Sequence, residues 1–317
     1  MSTLLAVVLD LAPAQWHAAA KASTSPLPLA TFIQHLNAFL NAHIAANNDN
    51  IIAVFAALPG TSVMLYPAAE PHVPVPDANS YTPFKLLDSA IIHGIERELD
   101  VIADSDNEVP VALVGALSKA LCYINRLTIA QPTAKNEHAL DPHILVLSVS
   151  PDLSSSYIPI MNAIFSAQKL KVTIDVCKIY GPETVFLQQA AHLTGGSYIY
   201  LERRDALLQY LTMSFLSAPA LRKTLSVPTQ DKIDFRVACF CHKNIVDIGF
   251  VCSVCLSIFC QPVPVCSTCK TRFPMKILQR LNAARPLLPS ANSNGAARNS
   301  SPAGGRTNGN GNATRTR

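Results

Sequence analysis

Residues 239–269 read CFCHKNIVDIGFVCSVCLSIFCQPVPVCSTC and hold seven of the nine cysteines in the 317-residue chain. Two Cys-x-x-Cys pairs lie in this stretch with ten residues between them. Each pair presents two thiolates from one tight turn, and a structural zinc ion takes four such ligands at tetrahedral positions. The spacing therefore predicts one closed zinc site with the ligands Cys252, Cys255, Cys266 and Cys269. Because four cysteines leave no open coordination position, the predicted site is structural and not catalytic.

The same stretch contains a second set of metal-binding residue types. Cys239, Cys241, His242 and Cys260 would complete another tetrahedron, and the two sets would alternate along the chain as in a RING-like cross-brace. The Cys-x-Cys-His run is tighter than an ordinary knuckle, so buried thiols packed beneath the first site are the alternative. A disulfide cluster is not expected, because no signal peptide is recognisable and disulfides persist in oxidising compartments. The sequence thus predicts one zinc ion and permits two.

Charge is distributed unevenly along the chain. Residues 270–317 carry nine Lys and Arg residues and no acidic residue, whereas residues 1–269 carry 16 basic and 21 acidic residues. The main part of the chain is therefore mildly acidic, although the whole chain has a formal charge of +4. An acidic body does not favour a general nucleic-acid surface, so direct contact with nucleic acid is expected to be weak or absent.

The composition is unusually apolar for a weakly charged protein. Apolar residues make up 49% of the chain and charged residues only 15%, which favours a sheet buried on both faces and a surface for an obligate partner. The N-terminal apolar run, Leu4–Leu9, is broken by Asp10 and is far shorter than the roughly 20 residues of a membrane-spanning helix. It also lacks a basic leading segment, so we expect no membrane association and a reducing, intracellular location.

Residues 1–218 alternate between strand and helix patterns and predict an α/β domain. Right-handed crossovers between such units favour a doubly wound, mostly parallel sheet with one antiparallel edge strand. The Ala- and Pro-rich segment 12–30 is predicted to be a loop. The predicted strands are 4–9, 51–58, 62–66, 144–149, 172–179 and 197–201, and the predicted helices are 32–46, 83–103, 113–127, 157–170, 183–193 and 205–217.

Three further segments follow this body. Residues 219–238 form a Pro-containing connector, and residues 239–284 form the zinc module with a short basic helix. Residues 285–317 are rich in Gly, Asn, Ser and Arg, and we expect this tail to be disordered because it has too few apolar residues to pack.

The order of the body's elements carries a family resemblance. A strand ending at Asp10, a strand–turn–strand, and Thr194-Gly195-Gly196 before the last strand resemble a von Willebrand factor A domain. Active members of that family bind Mg²⁺ through Asp-x-Ser-x-Ser after the first strand and through an Asp after the fourth. Here Ala12 and Ala14 stand at the two hydroxyl positions, and Ser150 stands where the second Asp would fall. A hard cation needs several oxygen ligands, so we predict that this site is inactive and that Asp10 is a polar cap at the strand end.

The zinc stretch makes the resemblance more specific. Cys-Phe-Cys-His at 239–242, the run Gly-Phe-Val-Cys-Ser-Val-Cys-Leu-Ser-Ile-Phe-Cys at 249–260 and the last Cys-x-x-Cys follow such a domain. Over roughly residues 1–280 the chain resembles the family of smaller von Willebrand A-type subunits of the general transcription and DNA repair factor TFIIH. The resemblance implies a nuclear, non-enzymatic core subunit. It would pair with a larger subunit that carries its own von Willebrand A domain and a RING, and through it with the core complex and its helicases, in RNA polymerase II initiation and nucleotide excision repair.

Two other classes of function remain open. A RING-like ubiquitin ligase component would need the cross-brace and an exposed hydrophobic groove for a conjugating enzyme. A zinc-dependent DNA-binding protein would need basic residues in the module, yet residues 239–269 hold only Lys243 against Asp247. The sequence has no P-loop, no Gly-x-Gly-x-x-Gly run and no recognisable Ser-His-Asp set, so neither an enzymatic activity nor a small-molecule substrate is expected. Cys122 and Cys177 are interpreted as core thiols.

Overall fold

A computed structural model describes the body and most of the zinc module. The predicted tail lies outside the described residues, and the predicted short basic helix near residues 275–281 lies only partly within them. The described residues are 2–67, 79–103, 109–130, 140–153, 156–217, 221–225, 233, 235–242, 245–255, 257–276 and 279–280.

A mostly parallel sheet forms the centre of the body. Within the described residues its strands are β1 (Thr3–Asp10), β2 (Ile51–Ala57), β3 (Ser62–Tyr66), β4 (Asp141–Ser148), β5 (Thr173–Lys178) and β6 (Tyr198–Tyr200). They lie in the order β3-β2-β1-β4-β5-β6, and every neighbouring pair is parallel except the antiparallel edge pair β2–β3. This topology confirms the predicted doubly wound α/β sheet with one antiparallel edge strand.

Helices cover both faces of this sheet. They are α1 (Pro13–Ala20), α2 (Leu29–Ala46), α3 (Thr82–Ala103), α4 (Leu113–Ala130), α5 (Tyr157–Leu170), α6 (Val185–Thr194) and the short α7 (Leu207–Tyr210). All eight residues of β1 are buried, and its side chains alternate between two apolar cores. Leu5, Val7 and Leu9 pack in the core under α1, α2, α3 and α7. Leu4, Ala6 and Val8 pack in the core under α4, α5 and α6. Among the described residues, no helix combines the length and apolar character that crossing a bilayer would require.

Helix α1 corrects the prediction of a loop over residues 12–30. Pro13 begins this helix, where the fixed φ of proline is favourable and its missing N–H costs nothing. Trp16 is buried, its ring lies 4.5 Å from that of Phe32, and its Nε1–H donates to the Asp10 carbonyl at 2.8 Å. Tertiary packing of one large side chain therefore fixes a helix whose Ala-rich sequence shows little amphipathic pattern.

A buried ion pair between Arg222 and Asp175 of β5 connects the residues after α7 with the sheet. Arg222 Nη1 lies 2.5 Å from Asp175 Oδ1, and both side chains are almost fully buried. The same carboxylate oxygen accepts the Ser197 N–H at 2.9 Å, while Arg222 Nε donates to the Ser217 carbonyl at 3.1 Å. Arg222 lies beyond residue 218, where the sequence predicts the body to end. That boundary stays a prediction, but the body's packing extends past it.

The zinc module consists of two small hairpins that pack against the body. The hairpins pair β7 (Val237–Ala238) with β8 (Ile245–Val246), and β9 (Phe250–Val251) with β10 (Ile258–Phe259). Ala238 is buried in the core under α4, α5 and α6, and Phe240 contacts both that core and the apolar centre of the module. Gln189 Nε2 donates to the Arg236 carbonyl at 3.0 Å. The Gln189 side chain of α6, together with Ala238 of β7 and Phe240, therefore connects the two parts.

Candidate metal centre

The first predicted ligand set lies on two turns of the module. The 252–255 turn connects β9 and β10, and the Cys252 N–H closes it by donating to the Ser257 carbonyl at 2.9 Å. The Cys266 N–H closes the second turn, residues 266–269, by donating to the Thr271 carbonyl at 2.9 Å. The four thiol sulfurs of these turns lie within 4.8 Å of one another. The fold thus brings all four predicted ligands together; we call them the knuckle set.

The spacing of these sulfurs fits a zinc ion. Cys252 Sγ lies 3.7 Å from Cys269 Sγ, and Cys255 Sγ lies 3.5 Å from Cys266 Sγ. Four sulfurs placed at tetrahedral angles, each about 2.3 Å from one zinc ion, would lie roughly 3.8 Å apart. All four cysteines are free thiols. The donor set and its geometry therefore suit tetrahedral zinc and not a pair of disulfides.

Two hydroxyl groups support the thiolates of the knuckle set. Ser257 Oγ lies 3.1 Å from Cys255 Sγ, and hydrogen bonds from Ser257 lower the pKa of the Cys255 thiol to about 6. Thr271 Oγ1 lies 3.1 Å from Cys269 Sγ, and its hydrogen bonds lower the pKa of that thiol as well. Zinc binds thiolate and not thiol, so these hydroxyl groups favour the metal-binding protonation state. The sequence analysis did not identify them, although each stands two residues after the second cysteine of a knuckle.

The second ligand set also comes together. Cys239, Cys241 and His242 follow β7, and Cys260 follows β10. Cys241 Sγ lies 3.5 Å from Cys260 Sγ, and His242 Nδ1 lies 3.2 Å from the same sulfur. All four ligand atoms lie within 4.8 Å of one another. Partial burial is the main cause that raises the pKa of the Cys260 thiol to about 11, and the neighbouring Cys241 raises it further. We call these residues the mixed set.

The mixed set does not lie buried beneath the knuckle set. Cys241 and His242 are exposed, although Cys239 is buried. The short Cys-x-Cys-His run lets all three of its side chains reach Cys260, so the tight spacing does not prevent convergence. This geometry favours a second metal site over the alternative of a layer of structural thiols. Zinc occupancy of either set stays a prediction.

The two sets alternate along the chain and share one apolar centre. Cys239, Cys241 and His242 precede the first knuckle, while Cys260 lies between the two knuckles. The Phe259 side chain packs against Cys252 and Cys266 of the knuckle set. The next residue, Cys260, is a ligand of the mixed set. The two sets therefore overlap along the chain between Cys252 and Cys260.

The degenerate magnesium site has its carboxylate fully engaged by the protein. Asp10 Oδ2 accepts the N–H groups of Val149 and Ser150 at 3.0 and 2.7 Å, and Asp10 Oδ1 accepts the Ser150 hydroxyl at 2.9 Å. Ala12 and Ala14 offer no oxygen from their side chains. Asp10 thus organises the loop that follows β4, which agrees with a capping role. The inactivity of the site towards Mg²⁺ stays a prediction.

An apolar cleft of about 520 Å³ opens at these strand ends. Ala12, Ala14, Ser150 and Phe186 are among the residues that line it. At its edge Asp152 Oδ2 accepts the Phe186 N–H at 3.1 Å, at the start of α6. The lining offers an apolar surface and does not present the cation that a partner's carboxylate would need.

Comparisons with known proteins agree on one family. The family model described as "Transcription factor Tfb4" matches residues 2–270. A Schizosaccharomyces pombe protein named general transcription and DNA repair factor IIH subunit tfb4 is 40% identical over 284 residues, which cover 88% of this chain and 91% of that protein. General transcription factor IIH subunit 3 of Dictyostelium discoideum is 38% identical over 260 residues, which cover 78% of this chain and 68% of that protein.

A solved structure supports the same relationship. The crystal structure of the TFIIH p34 N-terminal domain matches with a TM-score of 0.59 and 32% sequence identity, and the match covers 68% of this chain and 98% of that one. These similarities give no support to the ubiquitin ligase or DNA-binding alternatives.

Proposed function

The chain belongs to the Tfb4 family, and from this membership we propose that it is a structural, non-enzymatic subunit of the general transcription and DNA repair factor IIH. The extent of the family match carries the proposal, because residues 2–270 include both the α/β body and all eight candidate metal ligands. A subunit of this kind would act by protein–protein contacts in transcription initiation and nucleotide excision repair. Its working location would be the nucleus.

Affinity purification tests this proposal directly. A tagged full-length chain, recovered from nuclear extract and analysed by mass spectrometry, should carry the other core subunits of factor IIH in near-stoichiometric amounts. A Cys252→Ser/Cys266→Ser variant, matched in expression, separates contacts that need the zinc module from contacts of the body. Recovery of the wild-type chain without any other subunit of the factor would contradict the proposal.

The exposed apolar side chains support an obligate partner surface. Ile129 and Met213 are 74% and 78% exposed on the body, and Ile248, Val251 and Val254 are each about 60% exposed on the module. Such groups are normally covered in an obligate complex, whose interfaces are large and hydrophobic. The family resemblance supplies a partner for the body, the RING end of the larger von Willebrand A-type subunit. The core complex and its helicases would be reached through that subunit.

We further propose that each ligand set holds one zinc ion as structural support. The knuckle set and the mixed set would each supply four ligands and leave no position for a substrate, so zinc would stabilise the module and take no part in catalysis. Because residues of both sets alternate along the chain, one ion would help to position the ligands of the other.

Metal analysis of pure protein tests the zinc proposal. Elemental analysis should give two zinc ions per chain, and Cys260→Ser should reduce the content by at least one. Cys122→Ser is the matched control, because Cys122 is an exposed thiol on α4 outside both sets. A wild-type value near one would remove the mixed set from the proposal, and a value near zero would contradict the metal centre as a whole.

A further inference from the structure

Three polar residues end three adjacent strands of the sheet on one face. Asp10 ends β1, Ser148 ends β4 and Lys178 ends β5. Ser148 and Lys178 are paired in register, and Asp10 lies one residue beyond the paired Leu9 and Leu147. Two residues earlier on the same strands stand Val8, Val146 and Val176, all buried in the core under α4, α5 and α6. Because side chains alternate along a strand, the three polar side chains share that face.

These side chains form one connected polar row. Lys178 Nζ lies 2.5 Å from the Ser150 carbonyl and 3.5 Å from Ser148 Oγ. Ser148 Oγ in turn lies 3.4 Å from Asp10 Oδ2, and Ser150 donates both its N–H and its hydroxyl to Asp10. The two serines therefore connect the ammonium group with the carboxylate, with Ser150 held by both.

Burial gives the charged groups of this row a large desolvation cost. Lys178 is fully buried and Asp10 is 1% exposed. An isolated charge at either position would carry a large desolvation cost, which an opposite charge in the same network reduces. Burial lowers the pKa of Lys178 to about 8, and the nearby carboxylates of Asp10 and Asp152 oppose that decrease. At neutral pH the lysine is thus mainly protonated and supplies one positive charge to the strand ends.

We infer that the ammonium group of Lys178 is the built-in cation of this site and takes the place of a bound divalent metal. A cation at this end of the sheet must neutralise Asp10 and attract oxygen atoms from the loop after β4. Lys178 Nζ faces the same carboxylate through Ser148 and contacts the Ser150 carbonyl directly. This inference extends the prediction that the body needs no Mg²⁺, because it names what replaces the ion.

A double-mutant cycle in the zinc-loaded full-length chain tests the inference. The variants are Asp10→Asn, Lys178→Met and the double substitution, and the thermal midpoint is followed by the fluorescence of Trp16, the single tryptophan, which is buried in the body. Each single variant removes one charge of the buried pair, and its midpoint should fall by roughly 5–15 °C, the smaller loss being expected for Asp10→Asn because Asp152 still acts on Lys178. The double variant should lose less than the sum of the single losses, because it removes both charges. Lys169→Met, an exposed lysine on α5, serves as the matched control and should not couple to Asp10→Asn.

Each result of the double-mutant cycle either supports or overturns the inference. If Lys178→Met does not fold, recovery of a folded protein in the double variant supports the inference. A double variant whose loss equals or exceeds the sum of the two single losses overturns it, as does a Lys178→Met midpoint equal to that of Lys169→Met. The midpoint of the wild-type chain in MgCl₂, against NaCl of equal ionic strength, is measured in parallel. A stabilisation specific to Mg²⁺ would overturn both the inference and the prediction that the body needs no Mg²⁺. Losses in midpoint that simply add, without a Mg²⁺ effect, would overturn the inference alone.

Discussion

The two ligand sets differ at the level of single residues in how readily their thiols lose a proton. In the knuckle set, Ser257 lowers the pKa of Cys255 to about 6 and Thr271 lowers that of Cys269, while desolvation and hydrogen bonds with neighbouring cysteines raise the pKa of Cys252. In the mixed set, partial burial and Cys241 raise the pKa of Cys260 to about 11. A proton competes with zinc for each sulfur, and it competes more strongly when the thiol pKa is higher. The same metal should therefore be held to a lower pH by the knuckle set than by the mixed set.

This difference predicts the order of zinc release on acidification. As the pH is lowered from neutral, the mixed set should release its zinc first and the knuckle set at a lower pH. A chromogenic chelator that reports free zinc should show two steps in the wild-type chain. Cys260→Ser should abolish the step at higher pH and retain the other. Release of both ions in one step, or retention of the higher-pH step in the variant, would contradict the assignment.

Two buried histidines make the body sensitive to acid in a separate way. His43 on α2 is buried beside His143. Burial is the main cause that lowers the pKa of His43 to about 4, and the charge of His143 lowers it further. Burial lowers the pKa of His143 as well. Between the unfolded pKa of about 6.5 and the folded value, the unfolded chain binds protons that the folded chain does not. The free energy of unfolding should therefore fall as the pH is lowered through this window.

The predicted contribution of His43 is on the order of 3 kcal/mol, lost between about pH 6.5 and pH 4. Urea unfolding followed by Trp16 fluorescence at several pH values reports on the body without relying on the zinc module. His43→Gln should flatten the pH dependence, and His93→Gln, at an exposed position on α3, should leave it unchanged. Equal slopes for wild type and His43→Gln would refute this role.

The elements of the body show where sequence patterns suffice and where they fail. Sequence patterns identified all six described strands. Four of them, β1, β2, β4 and β5, are largely buried apolar runs, whereas the partly exposed edge strands β3 and β6 were recognised from the strand–turn–strand pattern and from Thr194-Gly195-Gly196. The loop predicted over residues 12–30 was wrong, since one buried tryptophan stabilises α1 through contacts distant in sequence. Cys122, interpreted as a core thiol, is exposed on α4. On an amphipathic helix with a wide apolar face, residues at the edge of that face can point either way.

The candidate site was predictable to a similar extent. Ligand types and spacing identified the knuckle set and the mixed set, and both sets converge in space. Lys178 and Arg222 could not be recognised, because a buried charge shows its partner only in three dimensions. Lys178 ends an apolar strand, where a solvent-exposed lysine is equally compatible with the pattern, and Arg222 lies in a connector without periodicity. The partners of both are separated from them by tens or hundreds of residues.

The segment after α7 should contribute measurably to the stability of the body. Arg222→Met leaves Asp175 buried without its partner, and breaking such a pair typically costs about 3–5 kcal/mol. Arg203→Met is the matched control and should cost much less, because Arg203 pairs with Asp205 on the surface, where water and salt screen an ion pair. Urea unfolding of both variants would separate these values. Equal losses would show that the segment does not stabilise the body, and a chain ending at residue 225 would then be no more stable than one ending at 218.

At the scale of the whole molecule, the body and the zinc module act as neighbouring surfaces connected by Phe240 and by the contact between Gln189 and Arg236. The body presents an apolar cleft beside the ends of its central strands. The module presents exposed aliphatic side chains on its hairpins. Partner binding is thus expected to depend on shape and apolar contact, and not on a shared metal ion.

Binding of the larger subunit should therefore be independent of Mg²⁺. Co-expression of residues 1–225 with the partner's RING-containing end should give a stable 1:1 complex on gel filtration, with or without MgCl₂ in the buffer. Ala12→Ser/Ala14→Ser should not create a Mg²⁺ requirement, because position 150 still lacks a carboxylate. Loss of the complex in magnesium-free buffer would contradict the prediction. If only chains that retain residues 239–269 bound the partner, the module would be the docking surface.

The alternation of the two ligand sets has a consequence for the protein during its synthesis. A ribosome adds roughly 5–20 residues per second, so about 1.5–6 seconds pass between the addition of Cys239 and that of Cys269. During that interval no tetrahedron can be completed before Cys260 emerges, and the knuckle set must wait for the last residue of the stretch. The nascent chain therefore presents a growing number of unprotected thiols beside a body whose residues have already been made. When zinc is scarce or oxidants are abundant, these cysteine thiols would be oxidised in the newly synthesised chain, before the subunit could join an assembly.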